Sequence, residues 1–288
     1  MLIFKEEPGD LAEAVYFFFL LKEMSDSNEN RQSSNSPPTD GSGDGQASSQ
    51  GSPLVAHLMQ NKVETTLWLT RIFTVVCAIM FILPIFGGNP YSFYQRTLLA
   101  TAATSALRMH QRMPHVQLNM DFLRLLFTED SCHYLMYCII FLNSYPMTMS
   151  LIPCFLFALL HACSFTKTVL NLMGPTSLMF VRNMITKLEA QQVNILRFIA
   201  STEIFLMPAA VILVFMGKSS FFLPFLYYRF LSLRYASRRN PYNRIIFSEF
   251  RQVTEYLCSK PQCPGLVRNL SFKCISIISR LAPVAQSQ

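Results

Sequence analysis

The side chains that could bind metal or carry nucleophilic chemistry are spread thinly along this chain. Eight cysteines form no C-x-x-C pair, and none of the five histidines stands at zinc-ligand spacing from them. No H-x-x-x-H box, G-x-S-x-G, phosphate-binding glycine loop or H-E-x-x-H occurs either. His115 and Asp121 are separated by five residues, one more than an acyltransferase pair requires. We therefore predict no catalytic, metal or cofactor-binding residues and a protein that is not an enzyme.

The cysteines are better explained as small buried side chains in a reducing compartment. Palmitoylation of Cys258, Cys263 or Cys274 is the alternative for the three that lie near the C-terminus.

Glu203 is the one ionisable residue whose position suggests a special role. It lies inside an apolar run at residues 196–216, where a carboxylate is costly and marks a functional site by default. It could serve as an ion or proton site in a transporter or channel. It could also pair with an Arg or Ser/Thr of another helix, or lie near the membrane interface. Arg197 is not on its helical face, so a partner must come from elsewhere.

The composition around these residues is that of a membrane protein. The chain has 288 residues, of which 51% are hydrophobic and 14% are charged. Its mean hydropathy is +0.29. Soluble domains usually carry about 25% charged residues. We predict an all-α, multi-pass helical membrane protein with amphipathic C-terminal helices and a disordered N-terminal tail.

The predicted transmembrane domain covers residues 55–218, with spans at about 67–86, 131–143, 146–165 and 196–216. The run from Ser131 to Phe165 has no charged side chain and exceeds the roughly 20 residues that one span needs. Asn143-Ser144-Tyr145-Pro146 interrupts it. A hairpin or two tightly connected spans would put both ends of the run on one side, whereas a single kinked span would not. We favour two helices. Residues 91–112 are helical but mixed, which suits a buried or an interfacial helix.

The first 54 residues are expected to lie outside this domain. Ser25 to Pro53 is rich in Ser, Asn, Gly, Asp and Pro, a composition typical of disorder. The acidic residues before Leu11 are wrong for a signal peptide. We hypothesise that Met24 is the usual start and that residues 1–23 are an upstream extension.

The segment 219–288 is strongly basic. It carries ten Lys and Arg residues against Glu249 and Glu255, which gives it more positive charge than the whole chain. The positive-inside rule places such a tail in the cytosol. Its arginines alternate with apolar residues and match no nucleic-acid motif, so we predict no nucleic-acid partner. The aromatic residues of 219–235 are expected at the headgroup level.

Two amphipathic helices are predicted in this segment. The first carries both charge signs and suits packing on the protein. The second is purely basic and suits an anionic membrane surface, although packing against other helices is an alternative for both. Its expected membrane-contacting residues are apolar on one arc and basic on the other: Val267, Leu270, Ile277, Ile278, Leu281, Arg268, Lys273 and Arg280.

Several stretches, taken together and in order, resemble the transmembrane protein 33 (Krüppel homologue 2) family over about Val55 to Pro283. They are Asn61-Lys62, Trp68-Leu69-Thr70-Arg71, Ser92-Phe93-Tyr94-Gln95-Arg96, Glu129-Asp130-Ser131-Cys132-His133-Tyr134, Asn143-Ser144-Tyr145-Pro146, Glu203-Ile204-Phe205-Leu206-Met207-Pro208, Tyr227-Tyr228-Arg229-Phe230 and Ser237-Arg238-Arg239-Asn240-Pro241-Tyr242. The fungal relatives of this family are pore-membrane proteins of the nuclear envelope.

The resemblance implies a multi-pass protein of the endoplasmic reticulum (ER) and nuclear envelope, and the basic charge of the tail places its C-terminus in the cytosol. It implies roles in tubular ER organisation through reticulon binding, in ER stress signalling and in calcium homeostasis. The expected partners are the lipid bilayer, reticulons, other ER membrane proteins and nuclear pore components. The alternative function is an ion transporter or channel component that uses Glu203.

Overall fold

The structure is a computed structural model that describes residues 53–83, 89–113, 119–174, 177–237 and 239–282. The predicted N-terminal extension, the alternative start at Met24 and the break at Pro84 fall largely outside these residues. The described part of the chain is helical throughout, with eleven α-helices. They are α1 (Pro53–Gln60), α2 (Lys62–Ile82), α3 (Pro90–Arg112), α4 (Met120–Thr128), α5 (Asp130–Leu142), α6 (Thr148–Met173), α7 (Met179–Ala190), α8 (Gln192–Phe215), α9 (Phe222–Ala236), α10 (Tyr242–Ser259) and α11 (Gly265–Leu281).

Three of these helices, α2, α6 and α8, are long and apolar enough to cross a membrane. They contain 21, 26 and 24 residues, and at about 1.5 Å per residue each exceeds the roughly 30 Å of a bilayer core. Helices α4 and α5 pass the same test as a pair that bends by 79°. The chain is thus an all-α, multi-pass membrane protein, as its composition predicts.

The long apolar run at 131–165 forms two helices, α5 and α6, on either side of residues 143–147. The Tyr134 and Phe157 rings lie 4.9 Å apart, and the Tyr137 hydroxyl donates to the Ser150 carbonyl at 2.7 Å. Residues early in α5 therefore meet residues later in α6, so the two helices run antiparallel. Helix α6 continues eight residues beyond the predicted span, to Met173.

The helices that precede and follow α5 and α6 in the chain also form antiparallel pairs. Phe81 near the end of α2 packs on Tyr94 near the start of α3, while Arg108 near the end of α3 reaches back to Glu64. Helices α8 and α9 are joined by residues 216–221 and pack along each other. The body of the protein is thus three helical hairpins, α2–α3, α5–α6 and α8–α9.

Helix α3 is a buried helix rather than an interfacial one. It packs against α2, α5 and α6. Its threonine hydroxyls donate to backbone carbonyls one turn earlier, as Thr97 does to Phe93 and Thr101 to Thr97, both at 2.8 Å. Because the hydroxyls are satisfied within the helix, a polar composition is compatible with a buried position.

Helix α9 packs into the helical body, although it lies beyond the predicted domain boundary at residue 219. Tyr227 and Phe230 are fully buried against α5, with ring centroids 5.6 Å from Phe141 and 5.0 Å from Tyr137 respectively. Only part of the aromatic segment, including Phe222 and Phe225, faces outward. The rings of α9 were expected at the headgroup level, but those on its inner face bury more apolar surface inside the core. We therefore propose that the C-terminal tail starts after Ala236.

Candidate functional site: a buried charge cluster and an exposed amphipathic helix

Glu203 lies in the middle of α8 and is completely shielded from solvent. One carboxylate oxygen accepts a hydrogen bond from the Tyr134 hydroxyl. The other accepts from Arg234 Nε at 3.1 Å and from Asn243 Nδ2 at 2.8 Å. These partners come from α5, α9 and α10, so four helices meet at one carboxylate. We call these four residues the Glu203 cluster.

Arg234 is the cation of the cluster and is itself buried. Its guanidinium carbon lies 5.2 Å from the centre of the Tyr134 ring, a cation–π distance. Its Nη1 reaches Asp130 Oδ1 at 3.3 Å. Two carboxylates, those of Glu203 and Asp130, lie beside this guanidinium and balance its charge. The side chain is a permanent cation.

A second layer of ion pairs ties the helix ends next to the cluster. Asp130 also accepts a hydrogen bond from Ser237 Oγ at 2.8 Å. One oxygen of the adjacent Glu129 accepts from Arg112 at 2.6 Å and from Arg239 at 2.8 Å. The end of α3, the start of α5 and the residues after α9 are joined by these contacts.

The geometry favours structural pairing of Glu203 over an ion or proton site. Three donors already occupy the carboxylate, and a bound cation would have to displace Arg234. Among the described residues, no group of three or more His, Cys, Asp or Glu side chains could hold a metal ion. What the cluster can do is fix the register of four helices, since a buried charge that loses its partner is strongly destabilising.

Sequence reasoning singled out Glu203 but missed its partners. Tyr227, Phe230 and Arg234 are spaced by three and four residues, which puts them on one face of α9. An arginine that shares a helical face with two buried rings is itself a candidate for burial. Tyr134 and Asn243 carry no comparable pattern, because one lies in a continuous apolar run and the other at the polar start of α10.

The two C-terminal helices differ in how they meet the body. Helix α10 is attached to α8 by the Arg197–Glu249 ion pair at 2.6 Å and by the Phe205 and Phe250 rings, 5.3 Å apart. The buried residues of α10 are Asn243, Ile246 and Cys258, and Asn243 reaches Glu203 of α8 at 2.8 Å. The mixed-charge helix packs on the protein, in the manner that its charge pattern favours.

Helix α11 contacts α10, but none of its described side chains is buried. Its arc of apolar side chains is open: Val267, Leu270, Ile277 and Ile278 are each at least half exposed. Lys273 and Arg280 are exposed too. The side chain of Leu281, the last predicted member of the set, is outside the described residues.

Arg268 behaves differently from the other two basic residues of α11. It is half-buried, and its Nη2 donates to the Cys263 carbonyl at 3.4 Å in the preceding turn. Lys273 and Arg280 are therefore the two exposed cations of α11.

Comparison with known proteins agrees with this architecture. The family model Transmembrane protein 33/Nucleoporin POM33 matches residues 46–284. The chain belongs to this family. It is 55% identical to human Transmembrane protein 33 over 235 residues, which cover 81% of this chain and 95% of the relative. The Krueppel homolog 2 of Drosophila melanogaster is 40% identical over 81% of this chain and 83% of its own length. No solved structure shows a significant match.

The family match confirms the resemblance read from the sequence and extends slightly beyond it at the N-terminal side. The match spans all three hairpins and both C-terminal helices. Membership establishes a transmembrane protein of a family that is also named for a nuclear pore membrane protein.

Proposed function

We propose that this chain is a non-enzymatic membrane-organising protein of the ER and nuclear envelope. Its three hairpins occupy the bilayer, and α11 binds the cytosolic membrane surface beside them. The observation that carries the proposal is α11, a 17-residue amphipathic helix whose apolar arc no described part of the chain covers.

An uncovered apolar arc of this kind is best accommodated in the headgroup region of a membrane. Lys273 and Arg280 follow Leu270 and Ile277 by three residues each, so they lie at the edge of the arc. From there they can reach lipid phosphates while the apolar side chains enter the acyl boundary. Each such cation adds about 1 kcal/mol of attraction to an anionic leaflet.

The more specific cellular roles are proposed from membership of the family. We propose that the chain regulates tubular ER organisation by binding reticulons, with consequences for ER stress signalling and calcium homeostasis. Association with nuclear pore components is supported by the POM33 part of the family name. Insertion of α11 into the cytosolic leaflet offers a physical route to curvature, because it adds volume to one leaflet only.

The surface-binding step can be tested with a dye on Cys274, which is exposed and follows Leu270 by one helical turn. The full chain carrying Cys132→Ser, Cys163→Ser and Cys263→Ser is labelled with a membrane-impermeant maleimide dye and reconstituted into vesicles. We expect a blue shift in dye emission in vesicles containing phosphatidylserine, weakened by salt. The combined change Leu270→Gln and Ile277→Gln should abolish it.

The matched control places the same substituent on the opposite arc, as Asn269→Gln with Ser276→Gln. This variant should keep the blue shift. In cells, the Leu270/Ile277 variant should fail to restore ER tubule morphology and the control should restore it. Equal restoration by both variants would show that α11 does not act through the membrane.

A further inference from the structure

A cavity of about 290 Å³ enters the body between α2, α3, α5 and α6. Five arginines line it: Arg71, Arg108, Arg112, Arg234 and Arg239. The side chains of Arg112 and Arg239 are 43% and 53% exposed, so they stand at its mouth. The lining also includes Thr101 on α3, which places the inner end roughly 16 Å along that helix from Arg112.

The positive charge of this cavity is not fully balanced. Arg108 pairs with Glu64, Arg112 and Arg239 share Glu129, and Arg234 pairs with Glu203 and Asp130. Five arginines thus face four carboxylates, which leaves a net charge of +1. Arg71 makes no hydrogen bond or ion pair with any described residue. The carboxylate that attracts it, Glu64, is already paired with Arg108 at 3.2 Å.

Arg71 is also inaccessible to bulk solvent, with only 6% of its surface exposed. Arg234 also lines the cavity, and its buried Nη2 has no hydrogen-bond partner among the described residues. A buried charge without an ion-pair partner is costly. An anion bound in the cavity beside Arg71 would offset that cost.

We propose that this cavity binds the phosphate group of a lipid headgroup or of a soluble phosphate ester, with Arg71 as its principal cation. The planar guanidinium matches phosphate oxygens in a two-point geometry. The volume is at the lower limit of small-molecule sites, so it suits a headgroup rather than an acyl chain. The half-exposed arginines at the mouth provide the electrostatic path inward.

The test uses the purified full chain in a neutral detergent, with thermal unfolding followed by the fluorescence of its single tryptophan, Trp68. One arm adds inositol 1,4-bisphosphate, and the other adds phosphatidylinositol 4-phosphate in mixed micelles, with phosphatidylcholine as the reference lipid. Either phosphate probe should raise the unfolding midpoint in proportion to the logarithm of its concentration. A shift with both probes identifies the phosphate group itself as the ligand, and a shift with the lipid alone identifies a headgroup.

The decisive variant is Arg71→Gln. Without a probe its midpoint should equal or exceed that of the unmodified chain, because an unpaired buried charge has been removed. Its affinity for the probe should fall about tenfold or more. Arg71→Lys keeps the positive charge but lacks the planar guanidinium, so it should retain part of the probe-induced rise in the unfolding midpoint. A lower midpoint for Arg71→Gln, with probe binding unchanged, would mean that Arg71 is only structural.

Two controls separate this site from the others. Arg124→Gln removes an exposed arginine of α4 outside the cavity and should leave both probe shifts unchanged. The Leu270/Ile277 variant of α11 should also retain them, so failure of the proposed membrane-surface function would not imply failure here. No shift with either probe, or an equal shift in Arg71→Gln, would overturn the proposal.

Discussion

At the scale of single residues, the Glu203–Arg234 pair shows how a charge is tolerated within the helical body. Removing two ions from water costs several kcal/mol each, and their attraction repays this only when their remaining hydrogen-bonding groups are satisfied. Glu203 meets that condition through Tyr134 and Asn243. Arg234 meets it in part, through Asp130 and the Tyr134 ring. The pair is therefore more sensitive to loss of one member than of both.

We expect Glu203→Gln to lower the free energy of unfolding by about 3 kcal/mol, because it leaves Arg234 buried with a single, more distant carboxylate. Chemical unfolding in detergent measures this. Combining the change with Arg234→Met should recover much of the loss, since no unpaired charge then remains. A single variant as stable as the unmodified chain would contradict the structural role. Ion flux abolished in that folded variant would instead favour transport.

Sequence alone could identify Glu203 as exceptional and could exclude Arg197 as its partner. It could not find Arg234, Tyr134 and Asn243, because they lie 31, 69 and 40 residues away. Contacts at such separations depend on how hairpins pack, and a single sequence carries no direct record of that packing.

At the scale of elements, α9 and α11 show that the hydrophobic pattern of a helix does not by itself decide whether the helix is buried. Both are short helices with aromatic or aliphatic faces and basic residues, and both were predicted to lie at a membrane surface. Helix α9 instead inserts Tyr227 and Phe230 into the core, whereas α11 keeps its apolar arc open. The difference lies in the connections. Only residues 216–221 join α9 to α8, so α9 folds back along it, whereas α10 and the segments on either side of it separate α11 from the helical body.

The core position of α9 predicts a contrast between two phenylalanines. Phe230→Ala empties a fully buried site and should cost about 3–5 kcal/mol of unfolding free energy. Phe225→Ala, on the exposed face of the same helix, should change stability by only about 0.5 kcal/mol. Urea unfolding of the two variants in one detergent measures the difference. Equal effects would mean that α9 lies on the surface, as the aromatic composition first indicated.

At the scale of the whole molecule, the polar elements and the tight connections lie at opposite ends of the hairpins. Tyr94 bonds to Ser150 at 2.9 Å and Lys218 lies over the Tyr145 ring, so the turns of the three hairpins share one end. The ion pairs of Glu64, Glu129 and Asp130 mark the other end, where α10 also begins. The basic tail and the mouth of the arginine-lined cavity therefore lie on the same side.

This arrangement explains why the number of spans could not be read from hydropathy. Helices α2, α6 and α8 are apolar along their length, but their hairpin partners α3 and α9 are not candidate spans by composition. The threonine hydroxyls of α3 are hydrogen-bonded to the backbone of the same helix. The buried arginine of α9 is paired within the Glu203 cluster. A hydropathy count treats both as if they faced lipid.

Because the turns of all three hairpins lie at one end, the chain should cross the membrane an even number of times between the end of α6 and the C-terminal tail. A protease tag inserted at Gly174, which follows α6 in a left-handed turn conformation, should lie on the same side as a tag at the C-terminus. In sealed microsomes both should be digested from the cytosolic side. A tag at Ser219, between α8 and α9, should stay intact until detergent is added. Digestion of only one of the first two tags would place α9 outside the hairpin arrangement. Digestion of the Ser219 tag in sealed microsomes would show that the α8–α9 turn does not reach the far side of the membrane.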